Sequence, residues 1–279
     1  LFGLIFSFKG KATEVAHCYA NVNIFNLQIA QQGRFLNTNS TVILCFQHGY
    51  WSRKYPLFLP EMEINLKGHR VRLLPQKALH FTEESILLLS DLHVGKVNHF
   101  RRAGIPVPLK ANDRNTETLI DLLSSTKPQR VIFLGDLFHS HYNDEWEVIG
   151  QVIKHFRSVS FELVQGNHDI MSHHQYERHR VTVVDQLRIG SIVLTHEPLK
   201  EVEEGVLNLA GHIHPGVRLY GRGRQAVTLP CFYFGSKLAL MPAFGAFTGL
   251  AAIKVKKEDQ VFVIVEGKIV NVSERNDKE

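Results

Sequence analysis

Five short apolar runs along the chain each stop abruptly at a polar motif. ILLLS at 86–90 runs into Asp91-Leu92-His93, RVIFL at 130–134 into Gly135-Asp136, and FELVQ at 161–165 into Gly166-Asn167-His168-Asp169. SIVLT at 191–195 is followed by His196, and VLNLA at 206–210 by Gly211-His212-Ile213-His214. Runs of this length and composition read as buried strands, and each polar motif then opens a loop. Between the first two runs, residues 112–125 carry Leu119, Ile120, Leu122 and Leu123 at helical spacing, and Pro128 stops the pattern. Strand, helix and strand in that order predict a βαβ unit with parallel strands. A second helix is predicted over 144–156, leading into a strand at 161–164. In open α/β sheets the carboxyl ends of the strands share one edge, so five motifs distant in sequence are expected to meet there.

The remaining pattern is mostly extended. EINL, the turn Lys67-Gly68-His69 and RVRLL read as a β-hairpin. Short strands are predicted at 181–184, 187–189, 192–194, 207–210, 217–220 and 227–234, then at 251–255, 261–265 and 268–272, with a turn at Glu266-Gly267. The fold class expected is α/β, a β-sandwich flanked by helices. Residues 1–60 show neither a sustained twofold nor a sustained 3.6-residue period, and a regular pattern opens at Met62. Residues 1–61 are therefore read as an extension, poorly structured or translated from upstream, and 62–279 as one domain.

Composition changes this picture little. The 279 residues allow one large α/β domain or two smaller ones, and 44% hydrophobic with 21% charged residues is ordinary for a globular protein. The net charge of +5 resembles a nucleic-acid signal, but residues 1–61 hold +3 of it, so overall basicity argues for no particular partner. Cys18, Cys45 and Cys231 are few, odd in number and widely spaced, which suggests neither a disulfide framework nor a C-x-x-C zinc site and makes a reducing, cytoplasmic setting the expectation. LFGLIFSF at the start lacks a basic n-region before it, and no segment reaches about 18 uninterrupted apolar residues, so neither a secretory signal nor a membrane span is expected.

The chemistry lies in the residue types. Carboxylates, one asparagine and several histidines, without a thiolate, suit divalent ions such as Mn²⁺, Fe²⁺ or Zn²⁺ better than they suit a structural zinc cage. The spacing of Asp91 and His93 puts both side chains on one side of an extended segment, and that of His212 and His214 can divide two imidazoles between neighbouring ions. Asp136, with two carboxylate oxygens, is the natural bridge. Taken singly, each motif has an ordinary explanation as a turn or a satisfied histidine; five in order, each just past a strand, do not. Weaker candidates are Arg101, Arg102, Arg222 and Arg224, in glycine-containing loops, for substrate phosphates, and Phe232, Phe234, Phe244 and Phe247 for base stacking, although a packed strand edge explains the phenylalanines better. His173, His174 and His179 are a second possible ligand cluster, but their helix-like setting after GNHD reads better as surface histidines.

The series D-x-H, G-D, G-N-H-D, H, G-H-x-H resembles the calcineurin-like metallophosphoesterase superfamily. The longer strings SDLHVGK, HFRRAGIPVP, GDLFHSHYN, HEP, GHIHPGV, LPCF and MPAFGAFTG are most similar to the bacterial DNA ligase-associated metallophosphoesterases, also described as ligase-associated DNA-damage-response endonucleases. The resemblance implies a four-layer metallophosphoesterase-type sandwich with the metal site at the carboxyl ends of strands. It implies one ion held by Asp91, His93, Asp136 and His214, and a second by Asp136, Asn167, His196 and His212. His168 is then the non-ligand, catalytic histidine beside the phosphate. Asp169 is placed to orient that ring or to cap a helix, and Arg101 and Arg102 are the substrate-binding candidates on their loop position alone. Two ions about 3.5 to 4 Å apart can ionise water and clamp the phosphoryl oxygens during in-line displacement. The activity implied is hydrolysis of phosphodiester bonds with manganese, or iron or zinc, in which the protein need not supply a nucleophile; DNA is the implied substrate, and a DNA repair ligase, helicase and exonuclease the implied partners. Many superfamily members carry Asp where this chain has His139, a departure bearing on the surroundings of the site and on substrate choice. The competing readings are a small-molecule phosphoesterase and a non-catalytic metal-binding scaffold.

Overall fold

The structure, a computed structural model, describes residues 36–38, 41–46, 49–53, 62–96, 110–139, 144–220, 225–246 and 248–273. The chain divides into two units, Leu1–Pro60 and Glu61–Glu279. In the first, strands β1 (Leu36–Thr38), β2 (Thr41–Phe46) and β3 (Gly49–Arg53) pair antiparallel in sequence order. No regular element is expected there from periodicity, because TVILCF is too short to establish one.

The second unit carries two sheets. The first contains β4 (Met62–Leu66), β5 (His69–Leu74), β6 (Ala78–Phe81), β7 (Ile86–Leu89), β8 (Arg130–Leu134), β9 (Ser160–Val164) and β10 (Val181–Val184), in the spatial order β10-β9-β8-β7-β6-β5-β4. Strands β7 to β10 are parallel, and β4 to β6 extend the sheet antiparallel. The second sheet is built from β11 (Leu187–Ile189), β12 (Ile192–Thr195), β13 (Leu207–Ala210), β14 (Pro215–Tyr220), β15 (Ala226–Phe234), β16 (Leu238–Leu240), β17 (Ala251–Ala252), β18 (Gln260–Val265) and β19 (Lys268–Asn271). Its order is β11-β12-β13-β16-β15-β14-β17, with β18 on β15 and β19 on β18.

Alternation explains why the central strands are apolar throughout. Leu87 and Leu89 of β7, with Val131 and Phe133 of β8, face α1 (Lys110–Thr126), α2 (Asp144–His155) and α3 (His173–Glu177). Leu88, Ile132 and Leu134 face the other way, onto Leu194, Leu209 and Phe232 of the second sheet. A strand buried on both faces has no polar side to alternate with. On α1, Leu119, Leu122 and Leu123 make the buried stripe, and on α2 it is Trp146, Ile149 and Ile153. Each such side chain contributes about 1.5–3 kcal/mol on burial. The fold is thus mixed α/β, two packed sheets with few helices, and the three described helices share the outer face of the first sheet. The predicted helices and most strands lie within two residues of their expected bounds. The segment expected extended over 251–255 is a strand only at Ala251–Ala252, and β6 and β16, four and three residues long, are too short to leave a period.

Candidate metal centre

The five polar motifs do share one edge, and their backbones are bent hard to do so. Asp91 (φ 54°), His93 (49°), Asp136 (48°), His212 (63°) and His214 (52°) all occupy the left-handed region. Each such residue costs of order 1–3 kcal/mol and persists only where its surroundings over-determine it. Here the loops hold one another. The Asp91, His93 and Val94 N–H groups donate to the carbonyls of Gly135, Asp136 and Leu137 at 3.2, 2.9 and 2.9 Å. From the far side, Phe244 and Gly245 N–H donate to Ser90 and Asp91 O at 2.8 and 3.0 Å, which gives the MPAFG string a structural role. Gly135 (φ 72°) is required twice over: its backbone is left-handed, and a Cβ there would lie 2.2 Å from His196 Nδ1.

Two donor groups result, Asp91 with His93 and His214, and Asp136 with His196 and His212, the donor atoms within each lying no more than 4.8 Å apart. Asp136 stands between them, its Oδ2 3.8 Å from His93 Nε2 and its Oδ1 3.3 Å from His196 Nε2. Asn167 Oδ1 and His212 Nδ1 lie 3.2 and 3.1 Å from the same His196 Nε2, and His214 Nε2 lies 3.2 Å from Asp91 Oδ1. The groups are also tied through backbone, because the His212 N–H donates to the Asp91 carboxylate at 3.2 Å. All seven residues singled out as metal ligands in the sequence are therefore assembled here. They fit divalent cations: both ring nitrogens of His93 are buried without a hydrogen-bond partner, an expensive condition that a ligated ion relieves at one of the two. His196 donates Nδ1–H to Leu134 O at 2.9 Å, which leaves Nε2 as the nitrogen available to an ion.

Burial and charge act against each other at these groups. Burial pushes the Asp136 carboxyl up, but the His196 ring, the His168 N–H and His93 outweigh it and hold the group below the usual carboxylate range. Burial likewise pulls His196 down, and Asp136 more than reverses this, raising it to about 9. His93 is lowered to about 4 by burial, against the pull of Asp136. Lys96, which sequence reasoning passed over although it closes SDLHVGK, is held below its ordinary value by burial despite the attraction of Asp136 and Asp91.

His168 lies beside both groups. Its N–H donates to Asp136 Oδ1 at 2.9 Å, its Nδ1 meets His139 O at 3.1 Å, and its ring packs edge-on to His93 at 5.4 Å. The His139 ring stacks on it at 5.5 Å and 20°. The ring of His168 is thus set by His139, whereas Asp169, expected to orient that ring or cap a helix, does neither. The Asp169 carboxylate accepts the N–H groups of Gly166 at 2.9 Å and Phe138 at 3.2 Å, tying two loops together, and α3 starts later with Ser172 as its cap. Burial raises Asp169 to about 6 against those two backbone bonds. Ser90 was also missed; its Oγ donates to Asp91 Oδ2 at 2.5 Å.

Other candidates separate clearly. Arg101, Arg102, Arg222, Arg224 and Phe247 lie outside the described residues. Phe232, Phe234 and Phe244 are core residues. His173 and His174 are exposed, but His179 is fully buried, correcting its reading as a surface residue: the chain turns inward after α3 and the ring fits over Gly150, edge-on to Trp146 at 4.8 Å. Cys231 is buried and free, its thiol pushed up to about 12 by burial. Among the described residues no helix is long and apolar enough to cross a membrane.

Residues 84–233 match the family model of the calcineurin-like phosphoesterases, more than half of the chain. Among solved structures, the crystal structure of Pseudomonas putida nuclease MPE is similar at 26% identity and a TM-score of 0.64, covering 76% of this chain and 100% of that one. The Escherichia coli phosphoesterase Yfce aligns at 14% identity and a TM-score of 0.36, over 67% of this chain and 98% of that one. No curated protein matches the chain. Two sheets with their donor-bearing loops on one edge, and a family match spanning all five motifs, make the chain a member of the calcineurin-like phosphoesterase family and a metal-dependent phosphoester hydrolase.

Proposed function

We propose that the chain is a binuclear metal-dependent phosphodiesterase acting on DNA. One ion is held by Asp91, His93, Asp136 and His214, the other by Asp136, Asn167, His196 and His212. The observation that carries this is the Asp136 carboxylate, with one oxygen 3.8 Å from His93 Nε2 and the other 3.3 Å from His196 Nε2, so that one anionic group serves both sets. Carboxylate, amide and imidazole donors without thiolate suit manganese, with iron or zinc as alternatives. Bound there, such ions supply Lewis acidity toward phosphoryl oxygens and ionise water at neutral pH.

The chain's own residues do the rest. His168, with Nδ1 against the His139 carbonyl, keeps Nε2 for the substrate, where a proton on it serves the departing oxygen or the charge on the phosphoryl group. Asp169 holds the loop of His168 against that of Asp136 through its two backbone bonds. DNA as substrate is supported by the likeness to the Pseudomonas putida nuclease over that chain's full length, and by the strings shared with ligase-associated enzymes. On the same resemblance, a DNA repair ligase, helicase and exonuclease are partners. Arg101 and Arg102, from a glycine-containing loop, bind substrate phosphates; the few, widely spaced cysteines make the setting cytoplasmic, and the pattern that opens at Met62 makes residues 62–279 sufficient for activity.

The test is turnover by the purified chain with Mn²⁺ on bis(4-nitrophenyl) phosphate, 4-nitrophenyl phosphate and an oligonucleotide. The diester should be hydrolysed faster than the monoester and the oligonucleotide should be cut. A faster monoester, or an intact oligonucleotide, overturns the reading.

A further inference from the structure

Strand β14 starts at the residue after His214 and ends at Tyr220, which is 77% exposed. Its two faces differ. Val217 and Leu219 belong to an apolar cluster with Cys231, Val261 and Val263. Gly216, Arg218 and Tyr220 alternate onto the opposite face, where Arg218 and Tyr220 pair in register with the exposed Thr228 and Ala226 of β15. The residue paired across from Tyr220 is Ala226, too small to cover its ring. The Arg218 guanidinium carbon is 5.5 Å from the ring centroid, a cation set against an aromatic that adds nothing to the core.

Charge points the same way. Residues 205–257 contain seven Lys/Arg and not one Asp or Glu. Beside β14 runs β17, paired parallel through Pro215–Ala251 and Gly216–Ala252, and the Ile253 N–H continues the pairing to Gly216 O at 3.0 Å. After it Lys254 and Lys256 are exposed, while Ile253 and Val255 turn into the apolar cluster. An exposed aromatic flanked by cations, on a stretch of chain that carries no acid, is the arrangement that seats a nucleic-acid strand by base stacking and phosphate contact.

We infer that the β14–β15 hairpin binds the DNA strand flanking the cleaved phosphate, with a base on Tyr220 and phosphates at Arg218 and Lys254. This rests on the DNA phosphodiesterase reading. Six residues of strand at about 3.3 Å each put Tyr220 roughly 20 Å from His214. At about 3.4 Å per stacked nucleotide, that is about six nucleotides from the scissile bond.

The experiment compares the full-length wild type, Tyr220→Ala, Tyr220→Phe and Arg218→Ala, each with Mn²⁺, on a single-stranded 20-mer and on bis(4-nitrophenyl) phosphate, which is too short to reach the hairpin. Tyr220→Ala should raise KM for the 20-mer about five- to a hundredfold, Tyr220→Phe should restore it, and the small diester should be turned over at wild-type rate by all four. For Arg218→Ala, the slope of log affinity against log salt should fall by about 0.7, the share of one phosphate. If the wild type cuts the 20-mer and Tyr220→Ala cuts it equally well, the hairpin proposal fails alone. If the wild type hydrolyses the small diester but leaves the 20-mer intact, the DNA reading fails and takes this one with it.

Discussion

The backbone N–H of His168 donates to Asp136 Oδ1 at 2.9 Å, so the loop carrying the proposed proton donor is fastened to the proposed metal bridge by an atom that side-chain substitution cannot remove. The two residues can therefore be tested apart. His168→Ala keeps that N–H and every proposed ligand, and should keep about two ions per chain while turnover of a diester with a poor leaving group falls by about 10² or more. Asp136→Ala should lose both metal and activity. Metal analysis of the purified variants beside their rates decides this, and a His168→Ala protein short of one ion would reverse its assignment.

Metal uptake should depend on pH through His196, which Asp136 raises to about 9 in the metal-free chain. Below that value its imidazole is protonated and must lose the proton to ligate, so falling pH weakens binding. Between pH 7 and 8 the apparent association constant should rise about tenfold per pH unit for the proton displaced, and flatten above about 9. Titration calorimetry in buffers of different ionisation enthalpy counts that proton directly; an affinity that does not change between pH 7 and 8 would show that His196 is neutral before metal arrives.

Gly135→Ala should damage the centre without touching a ligand. The new Cβ would sit 2.2 Å from His196 Nδ1, on a backbone with φ of 72°. Strain of about 1–3 kcal/mol for the backbone and a similar amount for overpacking should appear as a lower Tm, with weaker metal binding. A variant with wild-type Tm and metal affinity would refute the close approach.

Asp169→Ala should act on folding before chemistry. It leaves the Gly166 and Phe138 N–H groups without their acceptor, at about 1–3 kcal/mol each where they stay dry. Chemical denaturation of the metal-free protein should read most of this loss. A variant with undiminished stability but slow turnover would return Asp169 to a catalytic role.

The positions of the candidate donors were legible because each follows an apolar run that ends in mid-pattern, and strand ends of parallel β7, β8 and β9 share an edge. What the side chains do for one another was less so. Asp169 is bound by the Phe138 N–H, 31 residues away, and nothing local to GNHD marks that partner. His179 follows a short helix whose composition reads as surface, yet it is buried because α2 offers Gly150 beneath it, a match visible only once the two segments meet. Tyr220 was passed over for the opposite reason: a tyrosine ending an apolar strand pattern looks like core until its neighbours across the hairpin prove to be alanine and threonine.

The hydrogen bond from His212 to Asp91 spans 121 residues of chain, and the Gly245 bond to Asp91 spans more. Neither donor group can be assembled from a nascent chain that has only its first sheet, since His196, His212 and His214 come after it. Closing such long loops precedes any reward from the contacts they make. Metal capture is therefore a late event in the life of each molecule, and a chain stalled halfway through synthesis or folding carries no competent hydrolase.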